Sequence, residues 1–227
     1  MTERYFNDHA RATVEAAMAR IIPTDHEPGA REAGTIDFVD RYLSGIGHIY
    51  AKPDGSGFET LVGAQADAWQ IRIDRLRETY RTGILDLDRR SRALYGNDFV
   101  ALTPEQQDGV LSSVERSEPD LPPDQSGQTT GPGYSLTVRQ DAPGVQPALQ
   151  QTSTETDLPF VPLLVLHTRQ GFYSDPIYGG NRGQVGWRVI GFPGPSSMNE
   201  VFTGRYSTLG WFAEGHTTSI EERIDGR

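Results

Sequence analysis

The sequence predicts a mainly α protein. It reads as an irregular helical bundle with a long polar excursion and a C-terminal loop region rich in Gly, Pro and aromatic residues. Three observations carry this. Trp69, Ile73, Leu76, Tyr80, Ile84, Leu87 and Leu94 recur at steps of three and four, with Ser91 in the remaining slot, which is the seam of a long bundle helix. Phe6, Ala10, Val14, Ala17, Met18 and Ile21 form a second apolar stripe at helical spacing. Phe160, Val161, Leu163, Leu164, Val165 and Leu166 are apolar nearly all round, the pattern of a short helix enclosed at the bundle centre.

Taken in order, the first helix spans residues 4–22 and stops at Pro23. Residues 24–29 are a polar turn in which His26 lies between Asp25 and Glu27. Adjacent residues rarely converge on one ion, so the trio reads as a solvated or capping turn ahead of a metal site. A second helix covers 35–44, with Thr35 as its cap, Asp37 in its first turn, and Ile36, Val39, Tyr42 and Leu43 as its stripe. Gly45 and Gly47 end it, and residues 51–57 are a plain loop. On the long seam helix, Arg77, Arg81, Asp86, Asp88, Arg89 and Arg90 read as a solvated face of mixed charge, and Gly83 as a point where the helix bends or divides. Thr103-Pro-Glu-Gln106 has the form of a capping box with proline at the first helical position, opening a short helix with Val110, Leu111 and Val114.

From 117 to 156 Pro, Gly, Ser, Gln, Thr and Asp dominate. That segment is too polar for a core of its own and reads as mobile alone or ordered on a partner, with one short strand at Tyr134-Ser-Leu-Thr-Val138. The apolar helix that follows ends at His167-Thr-Arg-Gln-Gly171. Val201, Phe202, Tyr206, Leu209, Trp211 and Phe212 then give an aromatic tail segment. The organisation is a single domain: 1–116 helical, 117–156 the excursion, 157–215 the buried helix and Gly/aromatic loop, and 216–227 a tail. Ile224-Asp-Gly-Arg227 has the form of a protease recognition sequence and is set aside from the fold.

The composition narrows the function. A length of 227 residues gives room for a real core. A net charge of −10 argues against a nucleic-acid backbone or an anionic lipid surface as partner. The absence of cysteine excludes disulfides, thiolate zinc sites and iron–sulfur clusters within this chain. No run approaches the roughly 20 apolar residues of a membrane helix, so direct membrane insertion is not expected. The first residues show neither an apolar signal core nor a twin arginine, which predicts a cytoplasmic chain or one that leaves with a partner.

Chemical motifs are scarce. No Gly-x-Gly-x-x-Gly follows a strand, and no Walker loop or Gly-x-Ser-x-Gly elbow occurs, so no nucleotide cofactor is expected in this chain. His9, His26, His48, His167 and His216 show no catalytic or metal-ligand spacing. His167 is the best single acid–base candidate, but its residue type and place after an apolar helix favour a satisfied core or helix-terminal histidine over that role. What stands out is residues 171–195, which concentrate aromatics, glycines and prolines too densely for a regular helix. Gly179, Gly180 and Asn181 supply positive φ; Tyr173, Tyr178, Trp187 and Phe192 supply large amphipathic faces. On residue types the stretch is first a packed loop that closes a core, and second a recognition surface.

Two stretches together resemble a known family. One is Arg20-Ile-Ile-Pro-Thr-Asp25 with Pro28-Gly-Ala-Arg-Glu-Ala-Gly34 and Phe38-Val-Asp40; the other is Gly171-Phe-Tyr-Ser-Asp-Pro176 with Tyr178-Gly-Gly-Asn181, Trp187 and Ile190-Gly-Phe-Pro-Gly194. Residues 80–88 and 94–99 add to the likeness. The chain thus resembles the gluconate 2-dehydrogenase subunit 3 family, the small subunit of bacterial flavin-dependent dehydrogenases. The resemblance implies a non-catalytic subunit that supports folding, stability or export of a large partner. That partner is a glucose–methanol–choline-type flavoprotein that holds FAD and oxidises a sugar, sugar acid, glycoside or polyol, with a cytochrome subunit as candidate electron acceptor. It also implies periplasmic or membrane association together with that partner. The chain departs from the family pattern in lacking a twin-arginine signal and in the length of its excursion. The motif residues Tyr173, Asp175, Tyr178, Gly179, Gly180, Asn181, Trp187 and Phe192 become the candidates for a partner interface or an internal signature. Two other classes fit the residues alone: a stand-alone carbohydrate-active enzyme using Asp175 or His167, and a carbohydrate-binding module built on Tyr and Trp platforms.

Overall fold

The computed structural model describes residues 4–118, 155–192 and 194–205. The expected strand at 134–138, most of the excursion and the tail beyond 205 lie outside them. Among the described residues the regular elements are helical, apart from one isolated bridge between Ala51 and Phe58, and the mainly α expectation holds.

Helix α1, Asp8–Ile21, starts where the Asn7 side chain accepts from the Ala10 N–H at 2.8 Å, which satisfies one orphan donor. It buries Val14, Ala17 and Met18 completely. Helix α2, Thr35–Ser44, begins differently from the expected threonine cap. Gly34 precedes it at φ +64°, and Thr35 lies inside the first turn with its hydroxyl donating to the Ala30 carbonyl at 3.0 Å. The turn at 30–34 is so tight that a left-handed glycine, not a side chain, delivers the chain into the helix. Residues 51–57 are more than a plain loop, because Lys52 N–H bonds the Gly57 carbonyl and Glu59 N–H the Tyr50 carbonyl, both at 2.8 Å.

Helix α3, Gly63–Tyr95, is a single helix of 33 residues, about 50 Å long. Gly83 neither bends nor divides it. A Cβ there would sit 2.1 Å from the Phe160 ring, so glycine is present to let another helix approach. Ile73, Leu76, Tyr80 and Leu87 are fully enclosed as the seam requires, but Leu94 is 57% exposed. The chain reverses at Gly96 (φ +76°), and Phe99 takes the core position at that end. The charged face is also less uniform than its composition. Asp88 is buried, accepting from the Phe99 N–H at 3.1 Å and contacting His9 Nε2 at 2.6 Å. Arg77 donates to the Leu43 and Ser44 carbonyls at 2.8 and 3.1 Å, satisfying the C-terminus of α2.

Helix α4, Pro104–Glu115, carries the expected capping box, with Thr103 and Gln106 exchanging bonds of 3.0 and 3.4 Å. Helix α5, Phe160–Tyr173, packs against α1, α2, α3 and α4; Phe160, Val161, Leu163 and Leu164 are buried as the apolar run demands, whereas Val165 and Leu166 are only half-buried and Leu166 lines an open cleft. The helix is longer than expected. His167 and Gly171 do not end it; it runs through both to Tyr173, because the His167 ring is enclosed with both nitrogens engaged and Gly171 has no side chain to hold α2 away. Gly171 lies against α2, where a Cβ would stand 3.0 Å from the Thr35 carbonyl. Beyond α5 come two 3₁₀ turns, Pro176–Tyr178 and Arg182–Gln184, then the short helices α6, Val185–Val189, and α7, Met198–Phe202. The Gly/aromatic stretch is therefore compactly folded, with its irregularity confined to the links.

Replacing Gly83 by alanine adds a methyl group into the Phe160 ring. The overlap outweighs the roughly 1 kcal/mol by which alanine favours a helix interior. The expected outcome is a net loss of about 1–2 kcal/mol, read as a lower midpoint in urea unfolding, and partial recovery in the Gly83→Ala/Phe160→Leu double variant.

Candidate functional site: a motif loop beside an aromatic cleft

The motif stretch is held against the end of α5 by backbone contacts that only glycine allows. A Cβ on Gly180 would lie 2.1 Å from the Gly171 carbonyl oxygen, and one on Gly186 would lie 1.9 Å from that of Phe172. Positive φ occurs at Gly179 (109°), Asn181 (48°), Gly183 (61°) and Gln184 (60°). Gly180 is thus needed for its small size and not for φ, while Gln184 adopts a left-handed conformation that its residue type does not signal.

Asn181 is the pivot. It is fully buried; its Nδ2 donates to the Ser174 carbonyl at 2.9 Å and its Oδ1 accepts from the Gly186 N–H at 2.8 Å. The Arg182 N–H reaches the Ala33 carbonyl at 2.8 Å, which ties the loop to the turn before α2. Trp187 is buried too. Its Nε1 donates to the Tyr173 carbonyl at 2.7 Å, and Phe192 meets it edge-on at 5.5 Å. Asp175 turns its carboxylate onto the Ile177 N–H at 2.9 Å, opening the first 3₁₀ turn. The N–H groups of Gly179, Arg182, Gln184 and Gly186 all bond within the protein, so this glycine-rich loop does not present them to a phosphate.

Tyr173 and Tyr178 face another way. They line a cleft of about 760 Å³ together with Phe38, Tyr42, Trp69, Arg72, Glu155 and Arg169. Tyr173 is 41% exposed. The Tyr178 ring packs on Phe58 at 5.7 Å, and its oxygen accepts from the Ala51 N–H at 3.4 Å. Trp69 carries Arg72 over its ring at 5.0 Å and meets Tyr42 and Tyr50 edge-on at 6.5 and 5.9 Å.

A chain of polar groups runs from this cleft into the core. Arg72 pairs with Glu155, and the Tyr42 hydroxyl donates to the same carboxylate at 3.3 Å. The other Glu155 oxygen lies 2.5 Å from His167 Nε2, and the Tyr80 hydroxyl lies 2.9 Å from His167 Nδ1. Burial, reinforced by Arg72, pushes the His167 imidazole down to about 3. The ring is therefore neutral, carries its proton on Nε2 toward Glu155, and accepts at Nδ1 from Tyr80. Burial raises Tyr80 and Tyr42 above the ordinary phenol value. His167 is thus a fully enclosed core histidine with both nitrogens engaged, out of reach of a substrate.

Sequence reasoning missed this network and the cleft's Trp69–Tyr42–Arg72 wall. The only local signal is Trp69 and Arg72 three apart on one helix; nothing in the polar run around Glu155 marks it. Among the described residues no group of three His, Asp or Glu side chains could hold a metal ion. His26 lies exposed in a turn where the Glu27 N–H bonds the Asp25 carboxylate at 2.8 Å. The arrangement supports binding more readily than acid–base work.

Two measurements check this geometry. Asn181→Ala loses two buried hydrogen bonds and forces a Cβ branch-free but still disfavoured left-handed residue, costing about 2–4 kcal/mol. Asn181→Gly relieves only the backbone part, so the two variants should differ by about 1 kcal/mol in urea unfolding. For His167, the unfolded chain takes up a proton below about pH 6.5 while the folded chain stays neutral down to about 3. Its contribution is therefore unchanged above pH 6.5 and becomes destabilising as pH falls through that window, by up to about 1.4 kcal/mol per pH unit. His167→Gln should show a shallower loss of stability between pH 7 and pH 4, in unfolding curves taken at intervals across that range.

A family model described as gluconate 2-dehydrogenase subunit 3 matches residues 8–194. That span holds the α1–α2 turn, the bundle and the whole motif loop through Gly194. No curated protein and no solved structure matches the chain. Because the match covers most of the sequence, the chain belongs to the gluconate 2-dehydrogenase subunit 3 family.

Proposed function

We propose that the chain is the non-catalytic small subunit of a flavin-dependent dehydrogenase complex. In this reading its partner is a large glucose–methanol–choline-type subunit that holds FAD and oxidises a sugar, sugar acid, glycoside or polyol. The small subunit supports the partner's assembly and stability, resides wherever the flavoprotein does, and leaves electron transfer to a cytochrome subunit. The observation that carries the reading is the family match over residues 8–194. The geometry is consistent with it. The motif residues Asn181, Trp187, Gly180 and Asp175 are engaged in internal contacts, and His167 is enclosed. The described surface carries an aromatic cleft edged by arginine, the composition typical of interface centres.

Co-expression with the glucose–methanol–choline-type flavoprotein of the same organism tests the proposal. The expected result is a yellow complex that co-purifies through the small subunit and shows the visible spectrum of bound flavin. The isolated chain should bind no flavin and turn over no sugar. A flavoprotein that is equally soluble, loaded and active without the chain overturns the reading.

A further inference from the structure

We propose that the cleft between α2, α3 and α5 is the seat of an anchor segment of the catalytic subunit. The segment presents an apolar or aromatic side chain with a carboxylate within a few residues of it. This rests on the function proposed above and adds which surface makes the contact and what chemistry it accepts.

Three features argue for it. First, the walls are rigid before anything binds. Tyr42 and Arg72 are both fixed by Glu155, Tyr178 is fixed by Phe58 and the Ala51 N–H, and the backbone of Tyr173 is pinned by Trp187. A preorganised aromatic pocket orders little on association and so keeps more of its contact energy as affinity. Second, the apolar surface does not stop at the cleft. Tyr50, outside the lining residues, is 39% exposed and packs edge-on against Trp69 in the cleft wall. Apolar surface that continues past a pocket favours a protein segment over a small molecule that fills the pocket alone.

Third, the charges are unevenly satisfied. Arg72 has its carboxylate in Glu155, which is already shared with His167 and Tyr42. Arg169 lines the same cleft, is exposed, and forms no ion pair with any described residue. In a chain of net charge −10, an arginine without an ion pair among the described residues, beside aromatic rings, complements an incoming acid. Guanidinium groups recognise carboxylates through paired hydrogen bonds that also fix orientation.

The experiment uses the full chain with the co-purifying flavoprotein. The photoreactive residue p-benzoylphenylalanine is placed at position 173 and, separately, at position 85. Leu85 is exposed on α3, thirteen residues from Arg72 and hence about 20 Å along the helix axis. Crosslinking from 173 alone is expected, to a flavoprotein peptide with a large apolar residue and an Asp or Glu within four positions. Arg169→Glu and Tyr173→Ser, both at exposed positions, should each weaken the complex about tenfold or more with unchanged thermal unfolding of the isolated chain. Several results overturn the proposal: crosslinks that form from 85 and not from 173, crosslinks from 173 that stay within this chain at residues 119–154 or 206–227, a captured peptide without an acid, or undiminished affinity in both variants. If the wild-type chain binds the flavoprotein and the variants bind it equally well, this surface is wrong while the subunit reading stands. If the wild-type chain binds no flavoprotein, both fall together.

Discussion

The enclosure of α5 is the constraint on which the rest depends. The face of α5 that carries Leu163, Leu164 and Phe172 has almost no exposed surface and is covered by α1 to α4, while Arg169 and Tyr173 on the same helix line the open cleft. Each of those side chains contributes about 1.5–3 kcal/mol when removed from water. Close wrapping also dictates where side chains must be missing. Gly83 yields to Phe160, Gly171 to the first turn of α2, and Gly180 and Gly186 to the carbonyls of Gly171 and Phe172. The glycines of this protein that matter most are those placed where another backbone or ring passes.

Enclosure on this scale carries polar groups inward with it, and each must find partners. His167 is held neutral between Tyr80 and Glu155. Asp40 receives the Phe6 N–H at 2.8 Å and sits near Arg11, while Asp88 receives the Phe99 N–H and His9. These pairings join segments far apart in sequence. They fix how the N-terminal residues, the α3–α4 turn and the return of the chain at 155 are placed on the bundle, and apolar contact alone would not specify that register.

What the sequence revealed follows from how local each cause is. Helical periodicity and a capping box act over a few residues, so α1, the α3 seam and the Thr103 cap could be read directly. The continuity of α3 through Gly83 could not, because the reason for that glycine is a ring 77 positions away in the chain. The same holds for Asp88, which looks solvated in a mixed-charge run and is buried by the reversal at Gly96. The aromatic loop was recognisable as unusual from its composition. The division of its residues, Trp187 and Asn181 inward and Tyr173 and Tyr178 toward a cleft, needed the three-dimensional contacts. Arg72 and Glu155 lie 83 residues apart, with nothing in either neighbourhood that points to the other.

Two acidic side chains bracket the stretch between α4 and α5. Glu118 accepts from the Val161 N–H at 3.0 Å, and Glu155 contacts His167, six residues further on and about 9 Å along the same helix. Both ends of the intervening chain are thus fastened to one rigid rod close to each other. For a segment closed between fixed neighbouring points, doubling the length adds only about 0.6 kcal/mol of closure entropy. Two anchors six residues apart on one helix therefore tolerate a change in the length of the connection between them at little cost in closure entropy.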